Sequence, residues 1–257
     1  MGVGRVVATP ADAVRDAEVV ITSLTGAEAV RAAFGGPVGA LAAATGQVFV
    51  EMSTSGPEVL AELEPQLNAT GSALIDAPIV GAPTVVLRGG AAILAGGAPA
   101  DVERARPVLE RLGEVRHVGS LGSGARLKLV ANSMLGAVTT AAAELQVAGE
   151  AAGLDRQEVF WVLARLAPSL EMRRAGYLDR QHEPTLFAVR DLLKDLDLAL
   201  ELFHRSVAQV PLTALVRELV GEAAADVPGL DITAVITRYR PTTVRADRRW
   251  PGSRTSA

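Results

Sequence analysis

The chain is predicted to be an α/β protein, with a mainly parallel sheet followed by an all-α domain that a long helix joins to it. Three observations predict this. Short apolar runs alternate with helical patterns through the first half, the order that βαβ crossovers need. A stretch of about thirty residues from Ser123 to Gly153 contains no proline and is dominated by Ala, Leu, Val and Glu, as one long helix would be. Beyond it only helical patterns occur.

Taken in order, strands are expected over residues 5–9, 18–24, 47–52, 73–78, 91–95 and 114–118, each a short run rich in aliphatic side chains. Helices are expected between them at 10–15, 27–34, 57–69 and 99–111, and Pro10, Pro57 and Pro99 stand where a first helical turn tolerates proline. The long helix is expected over 123–153, then helices over 156–167, 185–207 and 212–227, with a short one near 232–239. From Pro241 the sequence PTTVRADRRWPGSRTSA is polar, Arg-rich and aperiodic, and reads as a disordered tail. The expected organisation is therefore a sheet domain over 1–119, a helical domain over 120–240 and a tail over 241–257.

Composition narrows the classes of function. A formal net charge of −4 offers no broad attraction to nucleic acid or an anionic membrane. With no cysteine there are neither disulfides nor thiolate metal sites, which fits a reducing, cytoplasmic location. No leader-like N-terminus and no apolar run of membrane-spanning length is read in the sequence. His117, His182 and His204 are widely spaced, so no metal is expected.

The basic residues carry more. Of 25, only Lys128 and Lys194 are lysine, so lysine stands only where arginine has not replaced it. Arginine holds its proton near neutral pH, whereas a partly buried lysine can release it, which makes both lysines candidates for lysine-specific work. Lys128 lies in GSGARLKLVANSM, residues 122–134. Gly122 and Gly124 permit close backbone approach at the head of the long helix, where free N–H groups and the dipole favour an anion. Lys128 and Asn132 are four residues apart and project from one helical face, able to bracket a carbonyl or hydroxyl oxygen. A solvated lysine beside a polar neighbour would show the same spacing, but Leu127, Leu129, Val130, Ala131 and Met134 make this turn apolar. Asp195 and Asp197, beside Lys194, read as helix-surface or structural pairs rather than an acid/base couple.

The spacing GxGxxxKxxxN at the head of a long helix resembles the signature of the β-hydroxyacid dehydrogenases, which include 3-hydroxyisobutyrate dehydrogenase and tartronate semialdehyde reductase. The resemblance runs over nearly the whole chain, through VVITSL, EMSTSGP, IDAPIVGAP, FAVRDLLKDLDLAL and the late DITAVI. It implies a Rossmann-like domain binding NAD or NADP and a small-molecule substrate, while the apolar residues on more than one face of the long helix lead to the expectation of a homodimer or homotetramer. It implies Lys128 as the general acid/base and Asn132 as a substrate hydrogen-bonding group. By the same resemblance Leu24, Thr25, Thr54 and Lys194 face the cofactor, and Val80, Gly81 and Ala82 form the loop for the substrate carboxylate. The implied activity is oxidation of a short-chain β-hydroxyacid or reduction of its semialdehyde.

Two departures stand out. Val80 and Ala82 occupy positions where the family most often has serine and often a second glycine, so a hydroxyl donor is lost while Gly81 remains. The strand, G-x-G-x-x-G loop and helix that cradle a pyrophosphate are not matched by MGVGRVV. Aligned by its other motifs, the chain is expected to start about thirty to forty residues late in that fold, as a truncated Rossmann-like domain. A non-catalytic remnant with weak or no cofactor binding is the rival reading, and an imine reductase-like enzyme, with a different proton donor, is the third.

Overall fold

In the computed structural model of the chain, residues 4–239 are described. The expected tail over 241–257 lies outside them. The elements of the first half are α1 (Pro10–Val14), β1 (Val19–Thr22), α2 (Ala27–Phe34), β2 (Val48–Glu51), α3 (Pro57–Asn68), β3 (Ala73–Asp76), β4 (Ile79–Val80), α4 (Pro83–Val86), β5 (Ala91–Gly96), α5 (Pro99–Leu109) and β6 (Gly113–Gly119). The second half holds α6 (Ser123–Ala151), α7 (Arg156–Leu166), α8 (Arg174–Leu178), α9 (Val189–Arg205) and α10 (Pro211–Asp226), with a terminal 3₁₀ turn at Ile232–Arg238.

One mixed, mainly parallel sheet results. The strand order is β1-β2-β3-β5-β4, with β6 on the other side of β5. β1, β2 and β3 pair in parallel and in register, so Thr22, Glu51 and Asp76 end side by side. β6 is parallel to β5, but β3 and β4 meet β5 antiparallel. The reversal follows from the connection. Only ten residues, holding the one-turn α4, separate β4 from β5, too little chain for a parallel crossover. Neither β4 nor α4 stands out in the sequence, since an apolar pair and a Pro-led turn carry no measurable period.

The strand expected over 5–9 does not form. Thr9 instead accepts the Asp12 N–H through its side-chain oxygen and starts α1 at Pro10, and Val6 lies 92% exposed. A segment that joins no strand of the sheet and leaves its valine exposed gains little from extending. The helix expected from 185 begins at Val189, because Asp231 takes the N–H groups of Leu186 and Phe187 and bridges to Ala188.

By its contacts the chain divides into two compact units. The first comprises residues up to Leu135 together with Asp191–Ala214. Among the described residues, the second comprises Gly136–Arg190 and residues 215–239. The division thus falls inside α6, α9 and α10 rather than before α6. In the first unit, the two faces of the sheet carry separate apolar clusters. One packs Phe34, Phe49, Leu60 and Leu67, and the other packs Val48, Ile75, Ile93 and Leu109. In the second unit the Tyr177 hydroxyl donates to the Thr139 carbonyl, and the buried Arg173–Asp231 ion pair holds the terminal turn, where Asp231 also caps Thr233. Among the described residues, no helix is long and apolar enough to cross a membrane.

Candidate active site

The carboxyl ends of parallel strands are where α/β sheets expose loops for ligands. Here two of those ends are tied by a buried acid. Glu51 accepts the Thr22 hydroxyl at 2.5 Å and the Ser53 N–H at 2.6 Å, and Ser53 Oγ accepts the Leu24 N–H at 2.8 Å. Burial raises the Glu51 pKa, against the pull of its bonds to Ser53 and Thr22. The loops beyond β1 and β2 are thereby held, and Leu24 and Thr25 lie exposed at their rim.

Helix α9 brings in a second acid. Its apolar positions Leu192, Leu196 and Ala199 are buried at helical spacing, and Asp195 falls on the same stripe, only 2% exposed. Asp195 Oδ1 receives the Lys194 Nζ at 2.6 Å, and Oδ2 receives Asn132 Nδ2 at 2.5 Å. Lys194 Nζ also donates to the Thr54 carbonyl at 2.6 Å, and its stem lies 3.6 Å from where a Gly26 side chain would start. A single carboxylate therefore joins Asn132 to Lys194, and Lys194 joins that pair to the loop after β2. Burial raises the pKa of Asp195, while Lys194, Asn132 and Lys128 all favour its charged form.

Lys128 differs from Lys194. It is half-buried one turn before Asn132, and among the described residues no hydrogen bond or ion pair holds its ammonium. Burial lowers its pKa most, Asp195 opposes this, and the like charge of Lys194 lowers it further. Such a lysine can give up and regain a proton at a pH nearer neutrality than a solvated one.

Of the residues singled out in the sequence, the structure gathers Thr54, Lys194 and Asn132 around Asp195, with Lys128 within electrostatic reach. Val80, Gly81 and Ala82 are not brought into this hydrogen-bond network by any contact among the described residues; they lie across β4 and the turn into α4, with Gly81 close against Ala91 and Val85.

Comparison with known proteins places the chain. Residues 2–122 match the model of the NAD binding domain of 6-phosphogluconate dehydrogenase, and residues 122–239 match that of the NAD-binding region of NADP-dependent 3-hydroxyisobutyrate dehydrogenase. The 3-hydroxyisobutyrate dehydrogenase of Pseudomonas aeruginosa is 32% identical, over 87% of this chain and 80% of that one. The chain belongs to the β-hydroxyacid dehydrogenase family. The 3-sulfolactaldehyde reductase of Escherichia coli is 30% identical over 91% of this chain and 80% of its own. The solved structure of Mycobacterium tuberculosis 3-hydroxyisobutyrate dehydrogenase with L-serine superimposes with a TM-score of 0.77 at 29% identity, covering 90% of this chain and 82% of that one. Like its family, the chain is an NAD(P)-dependent enzyme of the 3-hydroxyacid dehydrogenase type.

The family cofactor has a nicotinamide end and a pyrophosphate, and they can be tested separately. The nicotinamide end fits, because two parallel strands end together, Leu24 and Thr25 are exposed beyond them, and an amine stands at the Thr54 carbonyl. Among the described residues, no glycine-rich turn joins a strand to a helix ahead of β1, so no residue is assigned to the pyrophosphate. Two acids of this β-hydroxyacid dehydrogenase escaped the sequence reading, namely Glu51 and Asp76, while Asp195, read as a helix-surface or structural pair, is the buried partner of Lys194 and Asn132. Glu51 and Asp76 close strands of buried residues, and Asp195 sits at a core position of an amphipathic helix.

Proposed function

We propose that the chain interconverts a short-chain β-hydroxyacid and its semialdehyde, with Lys128 as the general acid/base. The observation that carries this is the half-buried ammonium of Lys128, unpaired among the described residues, beside the Asn132–Asp195–Lys194 chain. NAD or NADP supplies the hydride chemistry when bound. Lys128 takes the hydroxyl proton in oxidation and returns it to the carbonyl oxygen in reduction. Asn132, with its amide N–H anchored on Asp195, keeps a defined orientation and presents its remaining groups to the reacting oxygen or the carboxylate. Leu24, Thr25, Thr54 and Lys194 border the cofactor. Val80, Gly81 and Ala82 receive the substrate carboxylate through backbone groups, since neither Val80 nor Ala82 has a hydroxyl to offer.

The substrate class rests on the chemistry the relatives' names share. 3-Hydroxyisobutyrate and 2-(hydroxymethyl)glutarate each carry a hydroxyl on the carbon β to a carboxylate, and so does the L-serine of the mycobacterial structure. The proposal extends to a homodimer or homotetramer, supported by Leu145, Trp161, Val162 and Leu166, which leave apolar surface open on α6 and α7. The deciding experiment is Lys128→Arg, which keeps the charge and removes the titratable proton. Its turnover should fall by about 10²- to 10⁴-fold with 3-hydroxyisobutyrate and either cofactor. Unchanged turnover excludes Lys128 as the acid/base.

A further inference from the structure

The head of α6 has the geometry of an anion site, with free N–H groups and a glycine turn, yet the anion it holds is the protein's own. Asp76, at the end of β3 and 1% exposed, accepts the Gly122 N–H through Oδ1 and the Ala125 N–H through Oδ2, each at 2.6 Å. The space for this is made by residues without side chains. A Cβ at Gly124 would stand 2.0 Å from the Leu94 carbonyl oxygen and 2.8 Å from Asp76 Oδ2, and one at Gly96 would stand 2.4 Å from Asp76 Oδ1. Gly122 itself has a φ of +85°, a conformation that side chains disfavour.

We infer that Asp76 is a positioning residue that sets the axial height and rotation of α6, and through it the placement of Lys128 and Asn132. The inference rests on the reading of Lys128 as the acid/base. Lys128 lies three positions after the capped Ala125 N–H, less than one turn of helix, so little slack lies between clamp and amine. Asp76 also leads directly through Pro78 into the loop 80–82, whose strand β4 is held on β5 and whose Pro78 carbonyl accepts the Leu94 N–H. One carboxylate thus ties the helix bearing the base to the strand that leads into the substrate loop. Burial pushes Asp76 up to about 6 against its two N–H donors, so the clamp is maintained at a cost a purely apolar joint would not carry.

The test is Asp76→Asn in the full chain. The amide keeps the shape but turns an N–H₂ toward one of two N–H groups and removes the charge opposite the helix dipole. The expected result is folded protein whose kcat falls about 10- to 100-fold, with KM and the NADH dissociation constant, read by fluorescence, within about threefold. Hydrogen exchange should rise at the amides of 122–126 and stay unchanged elsewhere in the sheet. Wild-type turnover from the folded variant overturns the inference, as does a loss confined to KM or cofactor binding. Should Asp76→Asn not fold, Gly122→Ala carries the same expectation, because it strains the capping turn and leaves the carboxylate intact. Lys128→Arg is assayed alongside. If it keeps full turnover, the acid/base reading fails; if it is inactive and the Asp76 variant is not, only the positioning inference fails.

Discussion

The two lysines of this chain stand in one small region and have opposite environments. Lys194 spends its ammonium on the Thr54 carbonyl and on Asp195, both at 2.6 Å, and so links α9 to the loop after β2. Lys128 spends its ammonium on nothing among the described residues, and is half-buried with a lowered pKa. The difference teaches that residue scarcity selects a site but not a role. A paired lysine orients groups, whereas an unpaired one that burial has made reluctant to stay charged can exchange protons.

The largest effect expected from breaking this contrast is at Lys128. Its arginine variant loses the proton-transfer term, about 10²- to 10⁴-fold in turnover, and should also lose the pH limb described below. Next comes the acid between the two lysines. Asp195→Ala leaves the buried Asn132 and the partly exposed Lys194 without their shared acceptor. Because Lys194 keeps water and the Thr54 carbonyl, the expected cost is about 1–3 kcal/mol of folding stability, measured by urea unfolding, together with a fall in kcat. A small change in both would show that Asp195 orients nothing. Lys194→Met should be milder, weakening NADH or NADPH binding about tenfold, or ~1.4 kcal/mol, read by fluorescence titration.

The smallest and most diagnostic effects are shifts in pH dependence. Lys128 must be neutral to accept a proton, so kcat for oxidation should rise with pH and level off, with its midpoint below the 10.5 of free lysine. The reductive rate should fall through the same midpoint, because it needs the charged form. Lys194 lowers the pKa of Lys128 and Asp195 raises it, so the two neighbours can be removed with opposite signs. Lys194→Met should move the midpoint up and Asp195→Asn should move it down. Both moving the same way would show that the limb belongs to another group. The same lowered pKa has a stability counterpart. The unfolded chain holds the Lys128 proton to higher pH than the folded one, so this residue's contribution to stability rises with pH across the interval between the two pKa values.

Much of the fold was legible without coordinates. The strands at β2, β3, β5 and β6 and the helices α2, α3, α5, α6 and α7 arise where period, proline and apolar runs put them, because each is decided by its own residues. The expected strand over 5–9 failed because pairing is not local, and β4 failed to show because two residues have no period. At the site, Lys128, Asn132, Thr54 and Lys194 were legible as rare residue types at fixed spacings. The acids that hold this region were not. Glu51 and Asp76 are ordinary letters at strand ends until parallel register sets them side by side.

By itself, then, the sequence determined the family, the helical periods and the two lysines, all of which depend on residues near one another in the chain. The tertiary structure alone decided that Lys194 reaches the Thr54 carbonyl while the Lys128 ammonium meets no partner among the described residues, and that the anion at the head of α6 is Asp76 rather than a ligand. The physical reason is range. Backbone propensity acts over a few residues, whereas desolvation and charge pairing are set by whatever the fold brings within a few ångströms, here partners 46 to 140 positions apart.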